Sequence, residues 1–230
     1  MEVLQLVFLM FGALCTVFAA ESIAQSPKIH RENIEWLETR VFDGDGTKLP
    51  RVLLIGDSIC LGYFGRVQTA LKGRASMAYM ATSKALPDQA YLDEVKLMLS
   101  EYKFDVIHFN NGLHGMGYSE LDYQNHFPAL IALIKKMQPQ AKLIWAASTP
   151  WREPAPNLET FSPNNDRVKA RNLIASRYIS KTGISIDDLY SLVEKHPEWH
   201  ANDGLHYNDL GVTAEAEQVA KYVLAALDEK

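Results

Sequence analysis

From Arg51 onward the chain alternates short apolar runs with longer segments of helical pattern, and this alternation limits the folds open to it. A helical segment between successive runs suits the crossover that joins two parallel strands. The runs are apolar throughout, as expected for strands covered by helices on both faces. We therefore predict an α/β fold with a parallel sheet of about five strands. The predicted strands are Val52–Ile55, Ser76–Met80, Val106–Phe109, Leu143–Ala147 and Ile184–Ile186.

The segments between these strands predict the helices. They cover residues 63–72, 89–102, 121–138 and 166–182. A last helix is predicted from Asp209 to Leu227, with Asn208 as its N-cap, because an Asn side chain can accept a hydrogen bond from a free N–H group. Since residues 51–230 contain no repeat and no obvious linker, we predict that they form one domain.

Residues 21–50 form a polar, irregular extension before that domain. Within it, Glu32–Arg40 is predicted as a short helix. Residues 43–46, Asp-Gly-Asp-Gly, resemble the start of a calcium loop, but the twelfth position of such a loop would be Leu54 and not Glu. We therefore favour a glycine-rich turn here.

The first 20 residues differ from the rest in composition. Residues 3–20 are apolar except for Gln5, and the chain turns polar at Glu21. This pattern is typical of a signal peptide, and a retained signal anchor is the alternative because the stretch is nearly long enough to span a bilayer. We predict export to the periplasm or out of the cell, with no stable membrane partner once the signal is removed. The candidate cleavage positions follow Ala19, Ala20 and Ala24.

Overall composition excludes several classes of protein. Apolar residues make up 47% of the chain, which is enough for a sizeable core and argues against disorder. The net charge of −5 and the lack of a long basic stretch predict no nucleic-acid partner. Removal of the signal would remove Cys15 and leave Cys60 alone, so no disulfide framework is predicted.

Ligand sites of parallel sheets lie at the carboxyl ends of the strands, and Ser58 follows the first strand in Gly56-Asp57-Ser58. A nucleophilic serine gains from a tight strand-to-helix turn and from the free N–H groups of a helix N-terminus. A simple helix cap is the alternative reading of Asp57-Ser58. Near the last helix, Asp203 precedes His206 by three residues. This spacing lets a carboxylate orient an imidazole that takes the serine proton, although it also occurs in caps and surface pairs.

Taken together, the two elements resemble those of the SGNH, or GDSL-type, hydrolase family. The resemblance covers roughly residues 51–228 and is closest to a subgroup with stretches similar to residues 105–114 and 184–190. It implies a flavodoxin-like α/β/α sandwich and ester hydrolysis without a metal or other cofactor. It also implies a catalytic triad of Ser58, His206 and Asp203. The implied oxyanion hole combines the nucleophile's own N–H with a glycine N–H and an Asn side chain.

The chain departs from this family pattern in the last two of those donors. His114 stands where the Asn is expected, two residues after Gly112, and an imidazole N–H can also donate to an oxyanion. Asn111 is the reserve candidate. No glycine occurs between Gly73 and Gly112, so a backbone N–H of the loop at residues 82–87 must serve. The candidates are the N–H groups of Ser83, Lys84 and Ala85, of which we assign the role to Ala85. We expect Asp57, Ser83, Lys84 and Trp151 to contact substrate.

The remaining histidines predict no metal site. His196 and His200 have the spacing of helical metal ligands, but no third ligand is evident. His108 is expected to be a hydrogen-bonded core residue. The predicted function is serine-dependent removal of short acyl groups, acetyl above all, from a small-molecule or carbohydrate ester. The alternatives are a lipid-acting lysophospholipase or thioesterase, and a carbohydrate-binding domain with weakened catalysis.

Overall fold

The computed structural model describes residues 28–46 and 48–229. The predicted signal or anchor, with Cys15, lies outside the described residues. A six-stranded sheet of order β1-β3-β2-β4-β5-β6 forms the centre of the fold. All neighbouring strands are parallel except β1, which runs antiparallel to β3. The strands are β1 (Leu37–Val41), β2 (Arg51–Gly56), β3 (Ser76–Thr82), β4 (Val106–Phe109), β5 (Lys142–Ala146) and β6 (Ser185–Asp187).

Helices cover both faces of this sheet and complete the predicted three-layer sandwich. One layer pairs α1 with α6, and the other places α3 between α2 and α4. Asn208 caps α6 as predicted, with its side chain accepting from Leu210 N at 3.0 Å and Gly211 N at 3.3 Å. The helices are α1 (Ser58–Ala70), α2 (Gln89–Glu101), α3 (Glu120–Met137), α4 (Asn164–Ile179), α5 (Leu189–Val193) and α6 (Asp209–Asp228).

The interior of the sheet explains why its strands read as unbroken apolar runs. β2 lies between β3 and β4, and its residues Val52 to Ile55 have no exposed surface. His108 on β4 is equally buried, and its Nε2 lies 3.0 Å from Asp187 Oδ2. It is therefore the hydrogen-bonded core histidine that the sequence predicts.

The helix predicted for Glu32–Arg40 is wrong, because Leu37–Val41 forms β1. This segment pairs with β3 in antiparallel register, from Leu37 opposite Thr82 to Val41 opposite Ala78. The side chains of the strand are mostly exposed, so backbone pairing with the sheet, and not an apolar face, sets its conformation. Charged Glu38 and Arg40 lie on this edge strand, a position where charges disfavour pairing with another chain.

The turn predicted near the N-terminus is present in the structure. Residues 43–46 form the predicted turn, with Gly46 N–H donating to Asp43 O at 2.9 Å. Within the part of the chain that the structure describes, no helix has the length and apolar character needed to cross a membrane.

At the interface of α1 and α6, the buried carboxyl group of Glu215 has no hydrogen-bond partner among the described residues. Glu215 on α6 has no exposed surface, and neither of its carboxyl oxygens forms a hydrogen bond within the described residues. Burial raises the pKa of this carboxyl well above its usual range, and the nearby Asp57 and Asp187 raise it further. The folded protein therefore holds this proton at pH values where the unfolded chain has released it.

Because folded Glu215 keeps its proton, we expect the stability of the protein to fall as the pH rises. Above the ordinary Glu value of 4.5, unfolding releases the proton, so the free energy of unfolding falls with a slope of up to about 1.4 kcal/mol per pH unit. Glu215→Gln has nearly the same volume and no such proton. Urea unfolding between pH 5 and 8 should give a shallower pH dependence for the variant than for the wild type. Parallel curves would show that Glu215 is ionised in the folded state.

Candidate active site

Ser58 is the first residue of α1, at the turn where β2 ends. The turn needs glycine at position 56, because a Cβ there would lie 2.6 Å from Cys60 Cβ. Asp57 caps the helix, with Oδ1 accepting from Ile59 N at 2.9 Å. The helix starts five residues earlier than predicted, so Ser58 stands at its N-terminus among free N–H groups.

The loop before α6 brings His206 to Ser58. His206 Nε2 lies 2.8 Å from Ser58 Oγ, and His206 Nδ1 lies 2.7 Å from Asp203 Oδ2. Because a carboxylate can only accept, Nδ1 carries the hydrogen and Nε2 is left to accept from the serine hydroxyl. The three predicted triad residues therefore lie together in the order that proton transfer from serine requires.

Asp203 is held ionised by its surroundings. Partial burial acts to raise the pKa of this carboxyl, but the hydrogen bonds from the His206 ring and from Leu205 N and His206 N outweigh burial and lower the pKa. Both backbone bonds go to Oδ1 at 2.9 Å, which leaves Oδ2 for the imidazole. The carboxylate thus stays charged at the pH values at which an imidazole gains or loses its proton.

Gly204 shapes the loop between Asp203 and His206. Its φ of +73° lies in the left-handed region, and a Cβ would come within 2.5 Å of Arg152 O. Its own carbonyl accepts from Arg152 N at 2.8 Å. The loop is therefore fastened to the segment after β5, which positions the imidazole over Ser58.

Ser58 and His206 open on a cavity of about 820 Å³. Trp151, an expected substrate contact, lines this cavity. The wall also contains residues that sequence reasoning assigned to an extension before the domain, namely Glu32, Trp36, Leu37 and Glu38. The other lining residues are Leu61, Leu113, His114, Met116, Gly117, Asn164 and Leu205.

The two predicted side-chain donors to the oxyanion, His114 and Asn111, differ in whether they reach the cavity. His114 lines the cavity, and its Nδ1 lies 2.9 Å from Glu32 Oε2. Asn111 is buried and does not line the cavity, since its side chain donates to Lys84 O at 2.9 Å and accepts from Leu86 N at 2.9 Å. Asn111, the reserve candidate, is thus a brace between two loops, and of the two candidates His114 is the one that lines the cavity.

In the loop after β3, one N–H group has no hydrogen-bond partner among the described residues. Ser83 N–H donates to Trp36 O at 3.1 Å, and Lys84 N–H donates to Thr82 Oγ1 at 3.1 Å. Because Asn111 accepts from Leu86 N, the N–H of Ala85 is the one without a hydrogen bond in the described residues. Ala85 therefore fits the predicted backbone donor, although it is not among the residues that line the cavity.

Three predicted substrate contacts have structural partners instead. Asp57 caps α1. Ser83 Oγ accepts from Trp36 N at 2.8 Å, and Lys84 pairs with Glu35. None of the three lines the cavity. Ser83 and Lys84 fasten the N-terminal segment to the sheet, which is how that segment reaches the cavity.

The remaining histidine pair does not form a metal centre. His196 stacks on Trp199 and lies 2.9 Å from Glu198, whereas His200 is buried with both ring nitrogens unpaired within the described residues. Burial, with the nearby Arg152, lowers the pKa of His200 to about 4. Residues 28–46 and 48–229 contain no group of three or more His, Cys, Asp or Glu side chains arranged to hold a metal ion.

Comparison with known proteins identifies the fold. No family model matches the sequence, and no curated protein matches it. Among solved structures, an acetyl xylan esterase has a TM-score of 0.61 at 17% identity, over 75% of this chain and 99% of that one. A carbohydrate acetylesterase family member from Sinorhizobium meliloti has a TM-score of 0.63 at 16% identity, over 79% and 100%. A GDSL-like lipase from Bacteroides thetaiotaomicron has a TM-score of 0.55 at 15% identity, over 76% and 88%.

The site predicts one reactive serine. A hydroxyl hydrogen-bonded to a carboxylate-backed imidazole is activated as a nucleophile, so a fluorophosphonate should label Ser58. Peptide mass spectrometry of the labelled protein locates the adduct. His206→Ala should abolish the labelling, while Asp209→Asn, an exposed carboxylate at the start of α6, should leave it intact. An adduct on another serine would contradict the assignment.

Proposed function

We propose that this chain, which has the fold of the SGNH hydrolases, is a serine esterase that removes short acyl groups from neutral esters. Ser58 is the nucleophile, His206 the proton acceptor, and Asp203 the residue that orients and supports the imidazole. The observation that carries this proposal is the continuous contact from Ser58 Oγ to His206 at 2.8 Å and on to Asp203 at 2.7 Å, at the wall of an 820 Å³ cavity.

The first half of the proposed reaction transfers the acyl group to the enzyme. Ser58 Oγ attacks the carbonyl carbon of the ester while its proton passes to His206 Nε2. The carbonyl π electrons move to the oxygen, which becomes an oxyanion. When the carbonyl re-forms, the bond to the leaving alcohol breaks, and His206 Nε2 returns the proton to that alcohol oxygen. The product of this half is an acyl ester on Ser58.

The second half repeats the same steps with water. Water loses a proton to His206 Nε2 and adds to the acyl carbon, and Ser58 Oγ then leaves and takes the proton back. Ionised Asp203 supports the imidazolium that forms in each half. Every proton is moved by groups of this chain, so the proposed route needs no metal or other cofactor.

The proposed oxyanion hole is built from three donors. Ser58 N–H at the start of α1 and the free N–H of Ala85 supply the backbone part, and His114 supplies the side chain. Hydrogen bonds aimed at the developing charge lower the barrier most, because they strengthen as the charge forms. The position of His114 on the cavity wall supports this role.

The residues that line the cavity indicate which class of ester it favours. Among the described residues that line it, none is Lys or Arg, whereas Glu32 and Glu38 are acidic. This lining favours neutral esters over anionic ones. We propose acetyl groups on carbohydrate as the substrate class, in line with the acetyl xylan esterase and carbohydrate acetylesterase that share the fold. Trp151 offers an aromatic face of the kind that packs on sugar rings.

A second candidate follows from the apolar part of the same wall. The side chains around Ser58 are largely hydrophobic, and a GDSL-like lipase shares the fold. A longer acyl chain or an apolar alcohol could bury surface against them. These side chains are Trp36, Leu37, Leu61, Leu113, Met116 and Leu205.

We also propose that the protein is exported and works outside the cytoplasm. The apolar stretch at residues 3–20 and the change to polar residues from Glu21 support this proposal. The folded enzyme would then be in the same compartment as carbohydrate polymers outside the cytoplasm.

The triad predicts unequal losses on mutation. Ser58→Ala and His206→Ala should each lower kcat by about 10⁶-fold, and Asp203→Ala by about 10⁴-fold, because Asp203 only orients the ring and supports its charge. The rate of p-nitrophenyl acetate hydrolysis measures the loss for each variant.

Circular dichroism should confirm that each of these variants is folded. Asp209→Asn removes an exposed carboxylate from the same region and should keep wild-type turnover. An Asp203→Ala enzyme more damaged than His206→Ala, or an active Ser58→Ala protein, would contradict the proposed roles.

Acyl-chain preference separates the two candidate substrate classes. For short-acyl hydrolysis, kcat/KM should be higher for p-nitrophenyl acetate than for the octanoate, and an acetylated sugar should be a substrate. Trp36→Ala tests the apolar wall directly. A preference for octanoate that Trp36→Ala selectively weakens would favour the second candidate.

A further inference from the structure

A small crevice lies between α1 and α6, next to the Ser58–His206 pair. Its volume is about 50 Å³. Ser58 and His206 line both this crevice and the 820 Å³ cavity, so the pair stands between the two spaces. The lining residues are Ser58, Ile59 and Gly62 of α1, His206 and Tyr207 of the loop before α6, and Val212 and Glu215 of α6.

The Glu215 carboxyl makes this crevice polar. Glu215 has no exposed surface, and neither of its carboxyl oxygens has a hydrogen-bond partner within the described residues. In the unfolded chain the same oxygens are hydrogen-bonded by water, so folding without a partner costs free energy. A hydrogen-bonding molecule in the crevice would offset that cost.

The two buried carboxylates near Glu215 have partners of their own. Asp57 caps α1. Asp187 Oδ2 lies 3.0 Å from His108 Nε2, and Asp187 Oδ1 accepts from Gln218 Nε2 at 2.7 Å. Of these three carboxyl groups, Glu215 is therefore the one whose hydrogen bonds are not made by the described residues.

The size and polarity of the crevice favour water as its ligand. A water molecule takes up about 30 Å³ in the liquid, so a crevice of about 50 Å³ holds one or two. Buried water makes about three hydrogen bonds, and the Glu215 carboxyl and the Ser58 hydroxyl supply partners for them. The methyl group of a substrate acetyl would fit by size, but it would leave the carboxyl unpaired.

We infer that the crevice binds ordered water that connects the Glu215 carboxyl to Ser58 Oγ, and that Glu215 is a positioning residue for the nucleophile. This inference rests on the proposed function, because it assigns Glu215 a part in orienting Ser58 for that reaction. The water occupies one acceptor position of Ser58 Oγ, which restricts the directions in which the serine hydroxyl can point.

The hydrogen bonds of this chain run in one direction. Burial raises the pKa of Glu215 well above its usual range, so its carboxyl keeps a hydrogen and donates to the water. The water donates to Ser58 Oγ, and Ser58 donates to His206 Nε2 at 2.8 Å. His206 Nδ1 in turn donates to Asp203 Oδ2 at 2.7 Å. Hydrogen bonds in such a chain polarise and strengthen one another.

Two substitutions of Glu215 separate positioning from packing. With p-nitrophenyl acetate, Glu215→Leu should lower kcat by about tenfold with little change in KM, because one hydrogen bond to the nucleophile is lost and no substrate contact is. Glu215→Gln should recover most of that loss, since its amide also donates. Leucine replaces the carboxyl by an apolar group, so the Tm of Glu215→Leu should not fall. Wild-type kcat in Glu215→Leu, or a Glu215→Gln enzyme equally slow, would overturn the inference.

Gly62→Ala tests the crevice without changing Glu215. A Cβ at Gly62 would lie 3.9 Å from Val212 Cγ2, an ordinary contact, and would take space from the water. Its kcat should fall as in Glu215→Leu. Gly65→Ala is the matched control on α1, because a Cβ there meets no described atom within 4 Å, and it should keep wild-type kcat. Both alanines favour the helix and should raise Tm. Equal kcat for the two variants, or a change in KM alone, would contradict the water site.

Crystallography tests the water site without turnover and so separates this inference from the proposed function. A crystal structure of the wild-type protein should show ordered water within hydrogen-bond distance of Glu215 and of Ser58 Oγ. The Glu215→Leu and Gly62→Ala proteins should lack it. A wild-type crevice without ordered water, or water that stays in both variants, would refute the inference. Absence of wild-type ester hydrolysis would refute the proposed function and leave the crystallographic result standing.

Discussion

The hydrogen bond between Ser58 and His206 joins two segments that are 148 residues apart in the chain. It exists because β2 occupies the middle of the sheet and α6 packs against α1, so the turn after β2 and the loop before α6 meet at one edge. Each partner is then fixed locally. Gly56 allows the turn into α1, and Gly204 allows the loop to fasten to the backbone after Trp151. Any change that shifts α6 along α1 would separate the two side chains before it disturbed the sheet.

Most of this architecture can be predicted from the sequence because each element is indicated by a short local pattern. The buried strands read as apolar runs, and Asn208 caps α6 through its own side chain. The triad positions are also found from short motifs, since Ser58 follows a strand and Asp203 and His206 are close in sequence. The start of α1 is found less well because the cap at Asp57, and not apolar periodicity, sets where that helix begins.

The rest of the cavity depends on contacts between distant segments. Glu32 reaches the His114 loop across 82 residues, and Trp36 hydrogen-bonds Ser83 across 47. No local pattern in residues 21–50 indicates these partners. The alternation of Leu37, Thr39 and Val41 is a strand signal that a helical reading of the segment overlooks. Ser83 and Lys84 follow β3, but their side chains bind the N-terminal segment and do not line the cavity.

Because β1 is an edge strand, the cavity wall beside it should open locally at a smaller free energy than the core. Among the described residues, β1 pairs with β3 alone and its side chains are mostly exposed, whereas β2 is buried between two strands. Strands with few buried contacts open locally at a smaller free energy than the whole domain. Local opening of β1 would displace the wall formed by Trp36, Leu37 and Glu38, while Ser58 on α1 and His206 before α6 keep their places against the rest of the domain. One wall of the cavity thus depends on an edge strand, whereas Ser58 directly follows a strand that is buried between two others.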